Sequence, residues 1–308
     1  MAKTPAMSPR AVRHVDRPVY FCRTLINGGP CRDAITRLSG LWSVINGLAF
    51  EVGERYLGKP DDLRFATVTV DRETPPVRIR VGWVTDQDLP RLAKKEEVSP
   101  IRLEEDQYVY FPSHMVLFND GFLGYECSRP APTPATLAAY INSKIEKNGY
   151  SFEPVYRPEV AADLKDMQEI HIVKIQLPVS RAAVFRERDR AISRGIRAFR
   201  EWGDEFQVEV TVSPAQRRGK VKNLLARVRK FASTAKEDGA TKLVVVGYDE
   251  DDHRRVLDLL SSRMLEKRQM VLQDAAHRAV SPDSAYAAIE GAFSDLEDPL
   301  YDSAGYRL

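Results

Sequence analysis

The chain has 308 residues, 43% of them apolar and 29% charged, with 46 Lys or Arg against 44 Asp or Glu for a net charge of +2. That composition is globular and long enough for two domains; it excludes a disordered or fibrous chain, and no run approaches the roughly 20 apolar residues that span a bilayer. Cys22, Cys31 and Cys127 lack metal-ligand spacing and suit a reducing cytoplasm, while the basic opening residues have no apolar run behind them and read as neither secretory signal nor membrane anchor.

In chain order, residues 1–16 are expected to form a flexible arm, and Arg17-Pro-Val-Tyr-Phe begins the first strand. Phe65 to Val70 and Val77 to Val84 alternate around the turn formers Asp71-Arg-Glu-Thr-Pro-Pro and predict a hairpin. A second hairpin runs from Tyr108 through Asn119-Asp120-Gly121, whose residue types tolerate positive φ, and returns over Phe122-Leu-Gly-Tyr-Glu. Thr133-Pro134 caps and opens a helix whose apolar stripe is Leu137, Tyr140, Ile141 and Ile145, with Gly149 as the expected C-terminal cap. A short helix over Glu159 to Met167 precedes a domain boundary near residue 165. The fold class expected is α+β in two domains: 1–165, globular and rich in antiparallel sheet, and 166–308, basic and assigned to DNA binding and dimerisation.

Beyond the boundary the pattern is strand, helix, strand, helix, strand: Ile170 to Leu177, Arg181 to Trp202, Phe206 to Val212, Gly219 to Lys236 and Lys242 to Tyr248. Asp252 to Lys267 and Ser281 to Leu296 are predicted helical, the second opened by Ser281-Pro282. Residues 297–308 are read as an acidic, frayed tail.

Charge is sorted by position. From Ile170 to Lys236 there are sixteen Lys or Arg against six acids, a net of +10 that leaves −8 for the rest of the chain. Within it Arg217, Arg218, Lys220, Lys222, Arg227, Arg229, Lys230 and Lys236 have no acid among them. A merely solvated helix alternates signs to gain i,i+4 pairs, so such a run points to a polyanion. On a helical wheel Val221, Leu224, Leu225, Val228, Phe231, Ala232 and Ala235 share one face, which sends the cations outward or to the flanks. Arg217, Arg218 and Lys220 sit at the helix start, where the dipole favours an anion over more cations. Arg186, Arg190, Arg194 and Arg197 form a secondary patch, diluted by Glu187 and Asp189.

No zinc-ligand spacing, basic leucine zipper or helix-turn-helix pair is present, and the polar face of Phe206 to Val212 offers Gln, Glu and Thr in place of stacking aromatics. Contacts are therefore expected to go to phosphates, sequence-tolerant and salt-dependent. Asp249-Glu250-Asp251-Asp252-His253 reads as a solvated loop, since adjacent acids do not converge as metal ligands must. His14, His114, His171, His253 and His277 are too scattered to nominate a base, Asn27-Gly-Gly-Pro is a turn, and no nucleotide, hydrolase or zincin motif occurs. No enzyme, cofactor or metal is expected; a Mg²⁺-dependent nuclease using residues 249–252 is the enzymatic alternative, and a module meeting an acidic protein or a membrane surface is another.

Phe111-Pro112-Ser113, Leu117-Phe118, Gly121, Leu123-Gly124, Pro132-Thr133 and Leu137 follow an order that resembles the RexA family of prophage exclusion proteins. Glu153-Pro154, Asp166-Met167, His171, Leu177-Pro178-Val179, the stretch from Pro214 to Lys230, Val256-Leu257-Asp258 and Leu265-Glu266-Lys267 continue it, with Ala131 standing where the family has a glycine. The resemblance spans Phe111 to Leu296. It implies a two-domain, homodimeric, cytoplasmic protein that binds double-stranded DNA without sequence preference, has a fold like that of the recombination-associated protein RdgC, and triggers a small membrane channel of RexB type during superinfection. It also implies a tie to the choice between lysogeny and lytic growth. An RdgC-like DNA-coating protein without a membrane partner is the alternative within the same chemistry. The acids at 249–252 or in the tail, Asp295, Glu297, Asp298 and Asp302, are expected to cover the basic face when DNA is absent.

Overall fold

Alternation along the first strand sets the architecture. The structure, a computed structural model, describes residues 13–58, 64–87, 89, 91–94, 97–104, 107–126, 130–145, 149–167, 169–178, 207–213, 228, 240–248, 254–273 and 279–306. In β1 (His14–Ile26) Val19 and Phe21 join one core while Tyr20 and Cys22 face another. Both faces of such a strand need a cover. The order continues as β2 (Gly29–Pro30), α1 (Ala34–Ile45), β3 (Tyr56–Leu57), β4 (Phe65–Arg72), β5 (Val77–Thr85), β6 (Arg91–Lys94), β7 (Glu97–Pro100), β8 (Val109–Leu117), β9 (Phe122–Glu126), α2 (Pro134–Lys144), β10 (Tyr150–Pro154) and α3 (Pro158–Asp166). It ends with β11 (Glu169–Pro178), β12 (Gln207–Val212), β13 (Lys242–Tyr248), β14 (Arg254–Asp258), β15 (Leu265–Val271), α4 (Pro282–Asp295) and α5 (Glu297–Ala304). The fold is mixed α+β.

The first sheet is antiparallel, in the order β10-β1-β9-β8-β5-β4-β3, with β2 and β15 also paired to β1. On one face α1 and α2 bury Leu38, Trp42, Leu137 and Tyr140 against Val68, Ile79 and Met115. On the other α4 and α5 bury Tyr286, Ile289 and Leu300 against Phe21, Val116, Phe122 and Met270. Each such side chain contributes roughly 1.5–3 kcal/mol, so both helix layers are needed to hold the sheet. Both expected hairpins are present, β4–β5 and β8–β9. In the second, Gly121 has φ +76, and a Cβ there would lie 2.1 Å from the Cys31 carbonyl oxygen. Glycine is required on both counts.

Strand edges without a neighbour expose unpaired backbone groups, and two asparagines satisfy them, one on β10 and one on β4 beyond the end of β3. The Asn46 amide donates to the Val70 carbonyl at 2.7 Å and accepts from the Val70 N–H at 3.1 Å on β4. Asn142 of α2 does the same for Tyr150 on β10, at 2.8 Å in each direction.

The second sheet has the order β12-β11-β13-β14, also antiparallel. The three strands expected here are all found, and β14 is added to them. The chain leaves the first sheet after β10 and returns to it at β15, and the two passages are hydrogen-bonded together: Arg157 N–H to the Ser262 carbonyl at 3.0 Å, and Met264 N–H to the Val155 carbonyl at 2.8 Å. Residues from both sides of position 165 therefore build the first sheet.

Four local expectations are corrected. The helix predicted over Asp252 to Lys267 is replaced, among its described residues, by strand β14 and the start of β15, because β13 and the first half of β1 offer open edges whose pairing outweighs the helix propensity of Glu, Lys and Arg. The tail read as frayed is α5: Leu300 and Ala304 are buried, Tyr301 donates its hydroxyl to Asp120, and Gly305 at φ +69 closes the helix. Strand β1 starts at His14, inside the segment read as an arm, because β15 pairs with it from there. Gly149 does not cap α2, which ends at Lys144; its N–H bonds the Asn27 side chain at 3.1 Å.

Candidate functional site

The second sheet receives one residue of the segment that charge singled out. One of its faces buries Val173, Ile175, Leu177, Leu243, Val245 and Leu257 under Leu164 of α3. Into the same cluster goes Val228, 4% exposed, the described residue of the basic segment. It belongs to the apolar stripe predicted for that helix. Arg217, Arg218, Lys220, Lys222, Arg227, Arg229 and Lys230, the secondary set Arg186, Arg190, Arg194 and Arg197, and the acids at 249–252 lie outside the described residues.

The opposite face of this sheet is exposed at its β14 edge, where Val256 lies in solvent, and closed at its centre, where Val246 is buried. Its cross-strand rows follow from the register: Thr211, Lys174, Val244 and Asp258 in one, Glu209, Gln176 and Lys242 in the next, and Ile172, Val246 and Val256 in a third. Lys174 reaches Glu209 at 3.6 Å. His171, at an irregularity in β11, meets the Tyr248 ring edge-on at 4.8 Å. The polar face expected for β12 is thus present.

A second constellation, not anticipated from the sequence, joins the first sheet to α4. Tyr286 donates to Asp71 at 2.6 Å, and Arg80 bonds the other oxygen of that carboxylate at 2.8 Å. Arg78 takes both oxygens of Glu290 at 2.9 and 3.0 Å, and Arg72 shares the first. Burial, then the bond to Asp71, pushes the Tyr286 hydroxyl far above its ordinary range, so it acts as a donor and not as a base. Beneath Tyr286 lies His114, whose Nδ1 is 2.7 Å from Glu126 Oε1, both side chains 3% exposed. The three guanidinium groups are matched to carboxylates already in place. The arrangement ties α4 to the sheet; it holds no group poised to attack a substrate. Its signal was latent in the hairpin: counting back from Gly121 places Glu126 opposite His114.

Of the residues that resemble the RexA family, Ser113, Leu117, Gly124 and Glu153 fall in this first sheet, His171, Leu177 and Val256-Leu257-Asp258 fall in the second, and Val179 and residues 214–227 lie outside the described residues. The Ser113 hydroxyl donates to the Glu126 carbonyl at 2.7 Å, and Glu153 pairs with Arg23 at 2.6 Å. A Cβ on Gly124 would meet Ile289 at 2.6 Å and Phe21 at 3.1 Å, so glycine lets α4 lie directly on the strand. Ser113, Glu153 and Gly124 thus serve the packing of the first sheet. The two described cysteines are reduced and buried, and burial with the bond to Asp33 pushes the Cys31 thiol up to about 11, which leaves it protonated and inert at neutral pH.

Among the described residues, no three His, Cys, Asp or Glu converge as metal ligands, and no helix is long and apolar enough to cross a membrane. No family model and no curated protein matches the chain.

Proposed function

We propose that this protein grips double-stranded DNA by its phosphates, without reading sequence, as the dimeric soluble sensor of a RexA-type phage exclusion system. In this reading its two-domain arrangement is like that of RdgC, it works in the cytoplasm of the host cell, and a small membrane channel of RexB type receives its signal. The observation that carries the reading is the run of eight cations without an acid between Arg217 and Lys236. Val228 supports it: the valine is buried against the second sheet, and in the helix predicted around it Arg227, Arg229 and Lys230 fall outside the apolar stripe.

The decisive measurement is a salt-titrated mobility shift on duplexes of unrelated sequence. If a dimer neutralises about 6 to 10 phosphates, log affinity falls against log salt with a slope of roughly −5 to −9, alike for every duplex. A protein with Arg217→Glu, Lys220→Glu, Arg227→Glu and Lys230→Glu keeps its circular dichroism and loses binding. Unchanged affinity in that variant removes the segment from the interface, and a flat salt response removes phosphate contact altogether.

A further inference from the structure

The face of the second sheet opposite Val228 has chemistry of its own. Lys174, Lys242 and Arg254 border a groove floored by Val244, Val246 and Val256. Lys174 is engaged by Glu209, but Lys242 and Arg254 form no ion pair among the described residues. Val256, in the row of Ile172 and Val246, is 53% exposed. Val256 is thus an exposed valine beside two cations, Lys242 and Arg254, that hold no carboxylate among the described residues.

We infer that this groove docks an acidic polypeptide segment that carries an aliphatic anchor, its carboxylates on Lys242 and Arg254 and its apolar side chain on Val256. Two alternatives fit the face less well. Nucleic acid, gripped through its phosphates, gains nothing from a valine floor. A second copy seated by a twofold axis sets this face on itself, and with Lys174, Lys242 and Arg254 against Glu209 and Asp258 its net positive charge opposes that. The face lies across the sheet from the buried Val228.

The test uses the full-length protein and a short fluorescein-labelled peptide of alternating Glu and Leu, followed by anisotropy at moderate salt. The expected result is saturable binding that falls at least about tenfold in a Lys242→Glu, Arg254→Glu protein and falls in Val256→Asp. A Lys-Leu peptide does not bind, and affinity for duplex DNA stays within about twofold of the parent. Lys242→Ala and Val256→Thr, milder changes at exposed positions, reproduce the peptide losses in smaller measure and guard against misfolding. The inference is overturned by absence of binding to the parent, by equal binding to the variants, or by a parallel fall in DNA affinity, which makes the face part of a nucleic-acid surface. Because the DNA measurement is read separately, loss of the peptide site and loss of duplex binding are told apart.

Discussion

Two residues show how single side chains enforce this fold. The Asn46 amide occupies both backbone groups of Val70, as a neighbouring strand would, and its removal leaves a donor and an acceptor unpaired at the edge of β4. Asn46→Ala is expected to cost about 1–3 kcal/mol, measured as a lower denaturation midpoint with unchanged slope. Gly124 acts by having no side chain. With Ile289 2.6 Å and Phe21 3.1 Å from a Cβ, Gly124→Val drives α4 off the sheet and is expected to cost about 1–3 kcal/mol, with a matching fall in Tm. Neither role is visible at its own position in the sequence. Asparagine at the end of a helix and glycine in a strand each have ordinary readings, and only the neighbour brought by folding distinguishes these.

At the scale of elements, local periodicity served well where the partner was close in sequence. Both hairpins, the helices α2 to α4 and the strands β11 to β13 follow from alternation, caps and turns. Helix α1 carries the same signal in Ile35, Leu38, Trp42 and Ile45, at spacings of three and four, and was missed. The failures are β14, β15 and α5, whose state is decided by what they dock on. Helix α5 also changes the view of the tail as a movable guard. Leu300 and Ala304 are buried on the first sheet, and the Asp295 carboxylate is paired with Arg268. Deleting residues after Leu296 is therefore expected to lower Tm by uncovering Phe122, independent of any DNA. Changing the exposed acids Glu297, Asp298 and Asp302 to serine spares the packing, and a rise in DNA affinity in that protein is the signature of a guard; an unchanged affinity discards it.

At the scale of the whole molecule, the first sheet is closed by its most distant parts. Strand β15 pairs with β1 from Val271 against His14 to Leu265 against Tyr20, and α4 and α5 cover the face that Phe21, Val116 and Phe122 present. A fragment ending at residue 165 lacks all of these. It is expected to be insoluble or to lack a cooperative unfolding transition, and a well-folded fragment refutes the view that the end of the chain completes the sheet. By itself the sequence determined the α+β class, the nearest-neighbour hairpins, and the segregation of charge, because each depends on residue types a few positions apart. It also named Val228 as part of a buried stripe, and the tertiary structure places that residue in the second core. Only the tertiary structure decided that Arg72, Arg78, Arg80, Asp71, Glu290 and Tyr286 form one network, that the last helices belong to the first sheet, and that the far face of the second sheet sets an exposed valine beside Lys242 and Arg254, which hold no carboxylate among the described residues. These depend on which apolar surfaces and open edges meet across the length of the chain, and local pattern does not encode that meeting.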